Sequence, residues 1–224
     1  EIFPTNKELF AINLFAKKIN NAIERSYTAS GNSNGVAITF LNAKNAILGG
    51  AELEGILDLS RLSESLNQWS LGANATFMYS KVERSPEQLD QEKPVNFTGT
   101  LKERKLQGAA PWTVNADLKY EFKNGQNLPH TASLVYNVSG SKIFTVGTSG
   151  LDHIYERPFH QLDFVYNAQL TKNWNVKLGI LNILNSTYKL EQGEDGTIPL
   201  DVRTNLHTDY KRGTSVNFTA GYTF

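Results

Sequence analysis

Residues 112–122, WTVNADLKYEF, alternate without a break between apolar and polar side chains. Trp112, Val114, Ala116, Leu118, Tyr120 and Phe122 fall on one face of an extended strand, and Thr113, Asn115, Asp117, Lys119 and Glu121 on the other. The same two-residue period returns in 69–80, 131–139, 161–170, 174–180 and 215–224, and in 51–59. Such a pattern commits the chain to sheets with one oily and one wet face. A soluble sandwich turns the oily face inward, and a transmembrane barrel turns it outward to lipid.

Eight strands are predicted, at roughly 8–27, 43–60, 68–83, 111–123, 129–146, 159–171, 173–187 and 210–224, with residues 1–3 as the tail of one more. No comparable helical period appears. Within 59–69 a single helical turn and a plain turn fit equally well. The connections discriminate between sandwich and barrel. Short ones (4–8, 61–68, 123–129, 171–173) alternate with long ones (28–42, 84–110, 147–158, 188–209). An outer-membrane barrel sorts its connections this way, with short periplasmic turns and long extracellular loops. A sandwich has no reason to do so.

The aromatic residues are placed consistently with that choice. Trp69 and Trp174 open strands at the short-turn end, and Tyr120, Phe122, Tyr222 and Phe224 close strands there. Trp112 and Tyr79 lie at the long-loop end. All are on the apolar face, so Trp69, Trp112, Trp174, Tyr120 and Phe122 are expected to be membrane-interface aromatics. Asp117, Lys119 and Glu121 are then expected to face a wet or plugged lumen.

Composition removes several alternatives. Lys plus Arg and Asp plus Glu are both 22, and a chain with no basic excess is not expected to bind nucleic acid. With no cysteine there are no disulfides and no thiolate metal sites. No run approaches the ~18 apolar residues of a transmembrane helix. A mean hydropathy of −0.37 still suits a barrel, whose strands are half polar. The opening EIFPTNKELF has no Met, no basic n-region and no apolar h-region, so no signal peptide is legible. Either one has been removed or the sequence starts partway through a longer protein.

LTKNWNVKLGILNILNSTYKLEQG (170–193) resembles the penultimate strand of TonB-dependent outer-membrane receptors. There an apolar–Asn–Leu–Leu/Phe–Asn motif leads to a Tyr and a long loop; here it is Leu181, Asn182, Ile183, Leu184, Asn185 and then Tyr188. EIFPTNKELFAINLFAKKINNAIE (1–24), YNVSGSKIFTVG and IYERPFHQLDFVYN are similar to successive segments of the Bacteroidota type of this family. The resemblance implies an all-β, antiparallel transmembrane β-barrel, residues 1–224 being about eight C-terminal strands of an expected 22-stranded barrel whose plug domain lies outside this sequence. The "IFP" start falls inside a motif, so a fragment or a split subunit is expected.

Energised nutrient uptake across the bacterial outer membrane is the implied function, of a siderophore, glycan or peptide. The implied partners are outer-membrane lipid, the remainder of the barrel and its plug, the TonB complex through the missing N-terminal part, and a surface lipoprotein or other outer-membrane subunits. A scaffold subunit of an outer-membrane complex and a small self-contained barrel are the alternatives. Phe218, Tyr222 and the terminal Phe224 resemble the signal read by the barrel-assembly machinery; the same residues also read as a lipid-facing stripe.

No catalytic constellation is legible: G-x-S-x-G, H-E-x-x-H and the P-loop are absent. No enzyme activity, cofactor or resident metal is expected. His130, His153, His160 and His207 form no i, i+4 pair, and a metal role for His153, His160 and Asp152 is outweighed by ordinary solvation. Glu52, Glu54 and Asp58 share a strand face and read as lumen wall. EQGEDG (191–196) lacks EF-hand spacing, and the N-x-S/T matches, several of them inside strands, read as chance. Ligand contacts are expected in the loops 84–110 and 188–209, with no single binding residue identified.

Overall fold

The computed structural model describes residues 1–29, 36–93, 98, 101, 103–194 and 209–224. In chain order the strands are β1 (Leu9–Asn20), β2 (Ile23–Ala29), β3 (Val36–Asn42), β4 (Asn45–Asp58), β5 (Trp69–Glu83), β6 (Trp112–Lys123), β7 (Pro129–Ser139), β8 (Lys142–Gly147), β9 (Ile154–Glu156), β10 (Gln161–Gln169), β11 (Trp174–Leu181), β12 (Thr187–Gln192), β13 (Asp209–Lys211) and β14 (Ser215–Tyr222). One short helix, α1 (Pro86–Glu92), and two 3-10 turns at Leu59–Arg61 and Glu64–Leu66 complete the described elements.

Eight strands form one sheet in the order β1-β4-β5-β6-β7-β10-β11-β14, antiparallel at every step. These are the eight predicted strands in their predicted order. The sheet is a partial barrel wall, with β1 and β14 at its two edges. Ile2 touches the free side of β1: its N–H donates to the Phe10 carbonyl at 2.7 Å, and its carbonyl accepts from the Phe10 N–H at 2.8 Å. That is the expected tail of one more strand.

The register turns the sequence period into two chemically distinct faces. On one, Leu57, Leu71, Leu118, Leu134, Phe164, Ile180 and Val216 stand side by side across seven strands. On the other, Glu54, Asn74, Asn115, Asn137 and Gln161 make a polar row. Asn115 donates to Asn74 Oδ1 at 2.7 Å, and Asn137 donates to Asn115 Oδ1. Each amide thus satisfies its neighbour where no apolar core covers it. On the same face Phe15 lies over Gly50, where an added Cβ would come within 2.1 Å of the Phe77 carbonyl oxygen. Only a residue without a side chain lets the ring and the strand approach so closely.

Four of the predicted strands are broken in the structure. The segments read as 8–27, 129–146 and 173–187 each run up the barrel sheet, bend, and continue as β2, β8 and β12 in a second sheet, and 210–224 begins as β13 in that second sheet before β14 joins the barrel sheet. Asn21 (φ 53°), Asn182 (φ 56°) and Asn185 (φ 44°) mark two of the bends. Asparagine tolerates the left-handed region better than most residues, so an apolar/polar pattern passes through it unmarked. The second sheet has the order β13-β12-β9-β8-β2-β3, its β2–β8 step parallel through Ser26–Val146 and Tyr27–Gly147. The described parts of the long connections therefore include a folded layer beyond the barrel wall. Its core is Tyr27, Ile154, Tyr188 and Leu190, with Phe144, Leu151 and Phe159 packed against them.

Candidate functional site

The loop layer is tied to the barrel by a buried array of charges. Ser85 caps α1 with a reciprocal pair of bonds to Gln88, and Pro86 fixes its first turn. The helix thereby turns Gln88 and Glu92 inward, where both are buried. Arg104 grips Glu24 of β2 with Nη1 and Nη2, each at 2.7 Å, and Nη2 also donates to Glu92 at 2.9 Å. Gln88 Nε2 donates to Glu24 at 3.3 Å, as does the Gln107 backbone N–H. Arg84 sits against the far oxygen of Glu92 at 2.6 Å. Two arginines and two glutamates thus balance in a water-poor place. Burial pushes the Glu24 carboxyl up, but the Arg104 bonds and charge outweigh it and hold it below the usual carboxylate range.

Gln107 completes the joint. Its carboxamide accepts from Arg25 N–H at 2.7 Å and donates to the carbonyls of Arg25 (2.9 Å) and Phe144 (2.8 Å). The amide stands in for a missing backbone partner between β2 and β8. Arg157 donates to Glu191 at 2.6 Å and to the carbonyls of Gly193 and Glu194 at 2.9 and 2.8 Å.

Beside the charge array lies a cavity of 470 Å³, lined among others by Arg84, Lys105, Gly147, Asp152, His153 and Tyr155. The chain turns back sharply here: a Cβ on Gly147 would lie 2.1 Å from the Leu151 carbonyl oxygen. Gly147 N–H donates to His153 Nδ1 at 3.0 Å, which puts the neutral ring's proton on Nε2. Burial, then the charges of Arg104 and Arg84, lower the His153 pKa to about 4.

The expected site residues divide into those brought together and those kept apart. Trp69 meets Tyr120 with ring centroids 4.7 Å apart, Tyr120 meets Phe122 at 5.2 Å, and Phe122 stacks on His130 at 5.0 Å. Trp174 meets Tyr222 at 5.1 Å, and Tyr222 meets Phe224 at 5.2 Å. Trp112 lies at the other end of the wall, paired with Phe77. Phe218, Tyr222 and Phe224 are exposed on the last strand. His153 and His160 are held in different contacts, His160 Nδ1 lying 2.5 Å from Tyr136 Oη. Among the described residues no three His, Cys, Asp or Glu side chains converge as a metal site.

Glu52 accepts from Asn13 at 2.9 Å, and Asp58 pairs with Lys7 at 3.3 Å. The loop 84–110 supplies α1, Arg104 and Gln107. Most of 188–209 lies outside the described residues. Glu24 and Gln107 carry no legible signal in the sequence, because nothing in a linear pattern pairs residues so far apart.

An antiparallel wall, oily on one face and wet on the other, with tight turns at one end and a folded loop layer at the other, defines an outer-membrane β-barrel. Residues 3–183 match the family described as TonB dependent receptor-like, beta-barrel, and the chain belongs to that family. It is a protein of the outer membrane. Among solved structures it is similar to the copper transporter OprC, at a TM-score of 0.62 and 14% identity over 99% of this chain and 30% of that one. It is also similar to a mutant of the ferric enterobactin receptor PfeA from Pseudomonas aeruginosa, at a TM-score of 0.52 and 15% identity over 97% and 29%. At such identities the likeness shows the fold alone. The chain spans 30% and 29% of those two structures. No curated protein matches it.

Proposed function

We propose that the chain is the C-terminal barrel segment of a receptor that takes up a scarce nutrient with energy supplied through TonB. The observation that carries this reading is the family match over 3–183, laid on a wall whose two faces differ as lipid and lumen differ. In this reading the oily face meets outer-membrane lipid, and the polar face with its asparagine row faces a plug supplied by the rest of the receptor. Trp69, Tyr120, Phe122 and Trp174 sit at the periplasmic interface and Trp112 at the outer one. Phe218, Tyr222 and Phe224 present the assembly signal. The loop layer is the outward-facing part that meets the ligand. The resemblance to receptors of the Bacteroidota type supports a glycan, peptide or siderophore as cargo and a surface lipoprotein as a companion.

Growth of cells carrying or lacking the full-length gene, on defined scarce nutrients and with or without a working TonB complex, tests the reading. Growth that needs both the gene and TonB on at least one nutrient is expected. Growth that never depends on TonB would overturn uptake and leave a scaffold role in an outer-membrane complex.

A further inference from the structure

The oily face of the barrel wall carries its cations in one place. In β1 that face runs Phe10, Ile12, Leu14, Ala16 and then Lys18. In β5 it runs Trp69, Leu71, Ala73, Ala75, Phe77, Tyr79 and then Lys81. The other lysines of the eight barrel strands, Lys17, Lys119, Lys123 and Lys177, fall on the wet face by the same registers, and these strands contain no arginine. Lys18 and Lys81 stand in one row, each directly opposite Ile47 of β4. The spacing of ~4.8 Å between neighbouring strands sets their Cα atoms roughly 10 Å apart. Although β1 is an edge of this sheet, its register with Ile47 fixes which way Lys18 faces.

The row lies at headgroup height. Glu8, ion-paired with Arg61, stands at the short-turn end of β1, ten residues before Lys18. A barrel strand crosses the hydrocarbon in about 9–11 residues. On β5, Lys81 lies four residues beyond Phe77, the partner of Trp112 at the outer end of the wall, or about 13 Å of strand. Leu14, Phe77 and Tyr79 below the row and Ile47 within it are all exposed. Just beyond the row, the Glu83 carboxylate accepts from Lys44 at 2.6 Å and from Asn45 at 2.8 Å. Lys81 meets Glu103 in an exposed ion pair, which holds its partners weakly. Lys18 forms no ion pair among the described residues, so three ammonium groups face two carboxylates. Basic residues at a membrane surface attract anionic headgroups. A free phosphate would leave Leu14, Phe77 and Tyr79 uncovered, and a zwitterionic phospholipid would bring its own ammonium against Lys18.

We propose that Lys18 and Lys81 hold the phosphate groups of a phosphorylated glycolipid in the outer leaflet, its acyl chains lying on Leu14, Phe77 and Tyr79. The inference rests on the reading of the oily face as the lipid-facing one and is independent of cargo and of TonB.

The test is titration of the detergent-purified full-length protein with lipid A, followed by native mass spectrometry, with dephosphorylated lipid A, phosphatidylethanolamine and inorganic phosphate in parallel. Lipid A is expected to bind at least about tenfold more tightly than any of the other three. Lys18→Gln with Lys81→Gln is expected to weaken lipid A by about tenfold or more, and Lys177→Gln, on the wet face, to leave it unchanged. Heat-modifiable electrophoretic mobility reports barrel folding of each variant, and Lys18→Gln alone carries the test if the double variant misfolds. Equal binding of lipid A and its dephosphorylated form, of phosphatidylethanolamine or of inorganic phosphate overturns the proposal. So does unchanged lipid A affinity in the folded variants. Insertion of the folded protein into phosphatidylcholine vesicles is measured separately. Insertion without preference for lipid A removes the site and leaves the lipid-facing reading standing, whereas failure to insert removes both.

Discussion

Arg104 and Glu24, 80 residues apart in sequence, meet in a two-pronged ion pair whose two N···O distances are both 2.7 Å. Both side chains are almost completely buried, 2% and 1% exposed. The pair joins the connection after α1 to the first strand of the loop layer, and Glu92 extends it to α1 itself. It is the joint on which the layer above the barrel wall depends.

Arg104→Met removes the guanidinium and strands two buried carboxylates. Breaking one side of a buried pair costs about 3–5 kcal/mol, chiefly because the remaining charge is uncompensated. The loss should be local. Hydrogen exchange is expected to accelerate in β2, α1 and β8 and stay slow in β5 to β7. A second change, Glu24→Gln with Glu92→Gln, is expected to recover part of the loss, since the carboxylates are then no longer charged. Uniform acceleration across the barrel strands would show that the joint is not local.

Acid should loosen the same layer in two stages. The folded His153 pKa is about 4 against an ordinary 6.5, so the unfolded chain takes the proton first as pH falls. Its contribution is full above pH 6.5 and is lost toward pH 4, on the order of 2–3 kcal/mol. Glu24 follows below the ordinary carboxylate range, because its folded pKa is lowered and its contribution disappears as pH falls through that value. Exchange rates of loop-layer amides between pH 7 and 4 measure the effect. His153→Gln is expected to flatten the first stage, and an unchanged slope in that variant would assign the stage elsewhere.

Gly147→Ala should disturb the turn that shapes the cavity. The added Cβ would meet the Leu151 and Asp152 carbonyl oxygens at 2.1 and 2.6 Å, so backbone must move. Overpacking of this kind costs about 1–3 kcal/mol. The checkable outcome is loss of protection at Gly147 N–H, whose acceptor is His153, while Gly125→Ala, in open space, has no effect.

Leu134 and Ser133 are adjacent on β7 and point to opposite faces. Arginine at Leu134, in the middle of the oily row, is expected to cost about 2–4 kcal/mol of folding into vesicles. Arginine at Ser133, beside Lys119 on the polar face, is expected to cost much less. Equal costs, or the reverse order, would contradict the assignment of lipid to the Leu134 face.

The barrel wall was written in the sequence because its information is local. A strand fixes its faces by alternation, and a run such as Trp112–Phe122 declares both at once. The sorting of turns and the end positions of Trp69 and Trp174 supplied the rest, and even the Ile2–Phe10 bridge followed from a strand-like start. The loop layer was not legible for the converse reason. Its strands continue earlier ones past asparagine bends, so β1 and β2 share one uninterrupted pattern while belonging to different sheets. Which of the charges in 84–110 would be buried was equally hidden, since Arg84, Glu92 and Arg104 look no different in sequence from solvated neighbours such as Glu103. Burial of a charge depends on what lies opposite, and Glu24 is brought there only by the tertiary fold. The sequence by itself determined a two-faced barrel wall, because alternation is decided residue by residue. Only the tertiary structure decided the joint and the cavity, because each is built from residues that meet after the wall has formed.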